Sequence, residues 1–139
     1  MIRHPSAFLS YSHHDRALAA QVAEGLRAGG VEVWFDQWEI LPGDSLIRKI
    51  FEEGLTGADA FIILLSPDSV QSRWVQEELD AALIKRIEGI TRVIPVIIGN
   101  VKVPLPLRTV QWIDMSQDFD EALRQLQMAI FEIRKRPAV

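Results

Sequence analysis

The chain contains no cysteine. Disulfides, thiolate-ligated zinc and cysteine nucleophiles are therefore excluded, and the composition suits a reducing compartment. No apolar run approaches the roughly 18–20 residues that cross a bilayer. Residues Met1 to Ser6 lack the apolar stretch of a secretory signal. These absences lead us to expect a cytoplasmic protein without membrane contact. Basic runs are scarce. Arg134-Lys135-Arg136 is the one cluster, and with a formal net charge of −4 the chain offers no footprint for nucleic acid. Three signatures are also missing: the G-x-G-x-x-G of dinucleotide folds, the G-x-x-x-x-G-K-[ST] phosphate loop and the G-x-S-x-G nucleophile elbow.

What remains is an ordinary globular composition, 48% hydrophobic and 24% charged over 139 residues. That length implies one domain able to bury its own core. The tail Arg136-Pro137-Ala138-Val139 reads as the stump of a linker, so residues 1–139 are expected to be a single module of a longer multidomain protein.

Short apolar runs alternate with amphipathic stretches. Ala7 to Tyr11 predicts a first strand. From His14 to Ala28, Leu18, Val22 and Leu26 recur every four residues beside Ala19 and Ala23, a helical stripe that Gly29-Gly30 ends. Val31 to Asp36 predicts a second strand. A loop over 37–44 follows, then a helix over about 45–55 with Ile47, Ile50 and Phe51 inward and Asp44 or Ser45 as cap. Ala60 to Leu65 is almost wholly apolar, as a central parallel strand covered on both faces must be. The next helix is expected over about 72–87, with Val75, Leu79, Ala82 and Leu83 inward. Val93 to Ile98 predicts a fourth strand whose Pro95 argues for a less central place or a bulge. Val110 to Asp114 predicts a weaker fifth strand. Asp118 to Lys135 predicts a last helix, with Phe119, Leu123, Leu126, Ile130 and Ile133 inward and a capping box from Asp118 to Glu121. Such alternation means an α/β fold with a parallel sheet. A flavodoxin-like, three-layer arrangement is expected: five strands in the order 2-1-3-4-5, helices on both faces.

Open parallel sheets bind ligands beyond the carboxyl ends of their strands, where strand order reverses. Here that rim would gather Ser10, Tyr11 and Ser12 after strand one, Trp34 and Asp36 at strand two, and Ser66 after strand three. Strand alternation puts Trp34 and Asp36 on one face. Trp74 and Glu78 are four apart on the third helix and therefore neighbours. Taking Leu79 as inward, Glu78 lies about 100° round at the edge of the buried face, whereas Glu77 points to solvent.

Each residue also has a plainer role open to it. Trp34 fits equally a side chain packing a helix onto the sheet, and Asp36 a cap for the following loop. Trp74 could close the helix–sheet seam. A lone helical glutamate is usually a solvated charge. Ser12 could cap the first helix. His13 and His14, adjacent at a helix start, are expected to diverge and so make a poor metal pair. A phospho-receiver domain shares the topology, but the Ser-Tyr-Ser ending of strand one offers no acidic pair for magnesium.

Taken in order, five segments resemble the Toll/interleukin-receptor (TIR) family, especially its bacterial members. They are Ala7-Phe8-Leu9-Ser10-Tyr11-Ser12; Val33-Trp34-Phe35-Asp36 with Ile40-Leu41-Pro42-Gly43-Asp44; Ala60 to Pro67; Ser72-Arg73-Trp74-Val75-Gln76-Glu77-Glu78-Leu79, similar to the family's Ser-x-Trp-x-x-x-Glu-Leu motif; and Arg92 to Ile98. The resemblance spans roughly Ala7 to Ile130. It implies NAD+ cleavage at the nicotinamide–ribose bond, to ADP-ribose or a cyclic isomer, with Glu78 catalytic. It further implies that Trp34 contacts the substrate, that Trp74 shapes the pocket and that Ser10, Tyr11, Ser12 and Asp36 line it, with no metal or other cofactor. TIR enzymes generally act on self-association, so a homo-oligomer is expected, using Trp38, Ile40, Leu41 and Gly43 of the loop after strand two, with a fused or separate sensor domain as a further partner. Those loop residues could instead fold onto the domain's own surface. Antiphage defence or an effector role would suit such an enzyme. A non-catalytic adaptor working through TIR–TIR contacts is the alternative, and a nucleoside-processing enzyme of similar topology a third.

Overall fold

The computed structural model describes residues 4–37, 58–71, 81–89 and 91–135; for 35–37, 83, 86, 134 and 135 it describes the backbone only. Five strands form one parallel sheet: β1 (Ser6–Tyr11), β2 (Glu32–Gln37), β3 (Ala60–Leu65), β4 (Arg92–Ile97) and β5 (Ile113–Asp114). Their order is β2-β1-β3-β4-β5, as the sequence implied, so the reversal falls between β1 and β3. The expected helix over about 45–55, the loop before it beyond Gln37, and the first part of the expected helix over about 72–87, with Val75 and Leu79, lie outside the described residues.

Alternation along the strands builds two cores. Ala7, Leu9 and Tyr11 of β1 and Ala60, Ile62 and Leu64 of β3 face one way. Against them pack α1 (Arg16–Ala28), through Ala19, Val22, Ala23 and Leu26, and the last helix, α3 (Phe119–Lys135), through Ala122, Leu126 and Ile130. Phe8 of β1, Phe61, Ile63 and Leu65 of β3 and Val93 of β4 face the other way, covered by Ile84 and Ile87 of α2 (Ala81–Glu88). Helices therefore lie on both faces, and β3, buried along its whole length, is the central strand its apolar run required. Phe8 and Phe61 stack at 5.7 Å on that second face.

Local details follow from residue chemistry. α1 stops at Gly29-Gly30, and Gly30 takes a φ of +94°, open to glycine at little cost. Asp118 caps α3, its carboxylate accepting the amide of Glu121 at 3.1 Å; the Glu121 carboxylate turns to Arg124. β5 is shorter than expected. The Val110 amide donates to the Leu107 carbonyl, continuing the turn after the 3-10 segment Leu105–Leu107, and pairing with β4 begins only at Ile113.

The inward stripe of α2 needs correction. Ala82 is exposed, and Ile84 and Ile87 are buried instead. The larger isoleucines claim the inner face because they remove far more apolar surface from water than a methyl does.

Pro95 lies second from the sheet edge. The carbonyl of Ile97 accepts from Met115 on the β5 side, and Pro95, two residues earlier, shares that direction. The β4–β5 ladder starts at Val96, so the missing proline donor faces a stretch that β5 never reaches. Val93, the next residue on that side, gives its amide to the Glu88 carboxylate.

Candidate active site

The rim is assembled from the turns that follow β1 and β3. Ser10 pairs in register with Asp36 of β2 on one side and Ile63 of β3 on the other. Since Ile63 belongs to the second core, Ser10 projects from that same face. Trp34 pairs with Phe8, also of that face, and is 49% exposed. An indole left half in solvent on the edge strand of the sheet can meet a flat ring. Tyr11 lies on the opposite face and is buried in the first core, so the structure does not bring it together with Ser10 and Trp34. Asp36 is placed by its backbone at the end of β2, in register with Ser10. Trp74, Glu78, Trp38, Ile40, Leu41 and Gly43 lie outside the described residues.

Ser12 stands at the start of the 3-10 turn His13–Asp15 and makes no side-chain cap. Its carbonyl takes the Asp15 amide at 2.8 Å. The His13 and His14 rings do not diverge: their centroids lie 3.9 Å apart, because the tight 3-10 turn replaces the helical start that the sequence suggested.

Asp15 is the functional candidate that sequence reasoning passed over. It is buried, and its carboxylate accepts a hydrogen bond from the Ser66 hydroxyl at 2.7 Å, joining the turns after β1 and β3. Ser66 and Ser69 interlock: the Ser66 amide donates to the Ser69 hydroxyl at 2.8 Å, and the Ser69 amide to the Ser66 hydroxyl at 3.1 Å. Burial pushes the Asp15 carboxyl above its ordinary pKa; the Ser66 hydrogen bond opposes this, Asp68 adds to it, and His14 and His13 oppose it. The available signal was a polar pattern in two turns, Ser12-x-x-Asp15 and Ser66-x-x-Ser69, falling on adjacent strand ends.

A separate cavity of about 1020 Å³ opens at the amino end of β4, lined among others by Arg92, Val93, Val110, Trp112 and Glu132. It lies at the opposite end of the strands from the rim and shares none of its residues.

The model of the TIR domain family matches residues 7–127. The chain belongs to the TIR family. Among relatives of this TIR domain is the 2' cyclic ADP-D-ribose synthase BtTIR of Bacteroides thetaiotaomicron, 34% identical over 90 residues, which cover 64% of this chain and 31% of that protein. The NAD(+) hydrolase PdTIR of Paracoccus denitrificans is 37% identical over 90 residues, covering 64% and 30%. The chain thus spans about a third of the length of these curated relatives. In structure, the RPS4 and RRS1 TIR domain heterodimer gives a TM-score of 0.67 at 13% identity, covering 93% of this chain and 97% of the matched one. That likeness is one of fold.

Proposed function

We propose that this TIR domain cleaves NAD+ at the bond between nicotinamide and ribose. One observation carries the reading: relatives 34% and 37% identical are named for the two outcomes of that cleavage, a cyclic ADP-ribose synthase and an NAD+ hydrolase. The half-exposed Trp34, on the same sheet face as Ser10, supports it with a stacking surface.

The chemistry suits such residues. The C1'–N bond breaks, and nicotinamide leaves with its electron pair as a neutral base, so no strong acid and no metal or other cofactor is called for. The ribose passes through an oxocarbenium-like state that a carboxylate stabilises and orients through the ribose hydroxyls. Glu78 is the carboxylate we assign. Water then completes hydrolysis to ADP-ribose, or an internal hydroxyl closes a cyclic isomer; either attacker loses a proton. Trp34 stacks on a ring of the substrate, with a cation–π contribution from the pyridinium. Trp74 shapes the pocket, and Ser10, Ser12 and Asp36 line it; Tyr11, buried in the core on the opposite face, is left out.

Activity in this reading depends on association of copies through the loop carrying Trp38, Ile40, Leu41 and Gly43, under a fused or separate sensor. The setting is cytoplasmic, in antiphage defence or as an effector. Among the described residues no helix is long and apolar enough to cross a membrane.

The test is nicotinamide release from NAD+ by the purified chain, at high concentration or gathered on beads, beside Glu78→Gln. Release by the wild type and not by the variant is the expected result. Equal release by both removes Glu78 from its role. Release by neither, even when clustered, puts the adaptor function in its place.

A further inference from the structure

We propose that Asp15 is a positioning residue, clamping the turn that follows β3 to the end of β1 in support of NAD+ cleavage by the residues that come next in sequence. The inference rests on the function proposed above. Asp15 is tied to its own strand end by its amide, which donates to the Ser12 carbonyl at 2.8 Å. Its carboxylate reaches across 51 residues of sequence to the Ser66 hydroxyl. From Ser66 the chain of bonds continues to Ser69, which is fully buried and also donates toward the carbonyls of Ser66 and Leu64, at 3.3 and 3.4 Å. One carboxylate thus locks the 3-10 turn Ser69–Gln71 against two adjacent strands at the point where strand order reverses.

That turn leads directly into Ser72-Arg73-Trp74 and on to Glu78. Displacing a reacting group by about 1 Å can cost on the order of 100-fold in rate, so the anchoring of the turn that precedes Glu78 in sequence bears on catalysis. The groups facing Asp15 are Asp68 from the β3 side and His13 and His14 from its own turn. Burial and Asp68 disfavour its charge, and the Ser66 hydroxyl and the two histidines favour it.

The experiment compares Asp15→Ala, Asp15→Asn, Ser66→Ala and the double variant Asp15→Ala/Ser66→Ala in the full chain. Steady-state NAD+ kinetics are measured together with amide hydrogen exchange over residues 66–80. Asparagine keeps an oxygen that accepts from Ser66. We expect Asp15→Ala and Ser66→Ala each to lose about tenfold or more in kcat with KM within about threefold, the double variant to lose no more than the worse single, and Asp15→Asn to stay within about threefold of wild type. Exchange over 66–80 should rise in the alanine variants and not in Asp15→Asn. Multiplying losses in the double variant, an Asp15→Asn as impaired as Asp15→Ala, or a lowered melting temperature with kcat intact would each overturn the clamp. If the wild type releases no nicotinamide, the function falls, and exchange alone decides the clamp: unchanged exchange in both alanine variants rejects it, and a shared, non-additive rise upholds it as a coupling between the two turns.

Discussion

Gly25 of α1 lies so close to Leu123 of α3 that a methyl group on its Cα would stand 2.3 Å from Leu123 Cδ2. The same backbone is held from the other helix by Gln127, whose side-chain amide donates to the Gly25 carbonyl at 2.9 Å. Replacing Gly25 by Ala gains about 1 kcal/mol of helix propensity but overpacks the contact by about 1–3 kcal/mol. Leu123 is half-buried and meets Gly25 with the end of its side chain, which can turn aside, so we expect Gly25→Ala within about 1 kcal/mol of the wild type and a net loss for Gly25→Val. Chemical denaturation checks this, and Leu123→Ala introduced beside Gly25→Val should recover part of the loss.

Two aromatic side chains on one sheet face should behave in opposite ways. Phe61 is fully buried against Phe8. Phe61→Ala should cost about 3–5 kcal/mol of stability, as large-to-small changes in cores do. Trp34 is half exposed, and Trp34→Ala should cost less than half as much while weakening NAD+ cleavage by roughly 2- to 30-fold in kcat/KM, the worth of about 0.5–2 kcal/mol of ring contact. Trp34→Phe should retain most activity. A melting curve and a nicotinamide assay on the three variants decide the matter.

The pH dependence of stability should carry two carboxylates of opposite sign. The folded Asp15 pKa lies above its ordinary value, chiefly through burial. Between the ordinary and raised values the folded chain binds the extra proton, so its contribution falls as pH rises through that window. Asp15→Asn should therefore gain on the wild type as pH rises from the acid range to neutrality.

Asp114 runs the other way. The hydroxyl and amide of Ser116 hold its carboxyl below the ordinary value. Its contribution is present above that ordinary value and is lost as pH falls through the depressed one. Ser116→Ala should reduce it. Melting temperatures from about pH 3 to 7 for Asp15→Asn, Asp114→Asn and Ser116→Ala separate the two effects.

Strand order, the central place of β3 and the capping of α3 by Asp118 were readable because each rests on a repeating pattern or a fixed spacing of residue types. Ile113–Asp114 was harder. A two-residue strand has no period, and the turn that consumes Val110 is fixed by a hydrogen bond to Leu107 rather than by composition. The stripe of α2 was misplaced at Ala82, since alanine is equally at home on either side of a helix. Strand order and alternation were enough to expect Ser10 and Trp34 on one face of the sheet. Asp15 was not foreseen, because its partner Ser66 is distant in sequence and a lone aspartate at a helix start ordinarily reads as a cap. His13 and His14 were judged by helical geometry, and a 3-10 turn has a different one.

The β4 edge offers little to a neighbouring backbone. On the side that β5 leaves uncovered, Pro95 has no amide to give and the amide of Val93 is already held by Glu88. An incoming strand would find acceptors without donors, and a ladder needs both. Main-chain pairing at this stretch of β4 is thereby disfavoured. A neighbour brought to this stretch would have to meet it through side chains, which leaves its choice to residue identity rather than to main-chain pairing, common to all proteins.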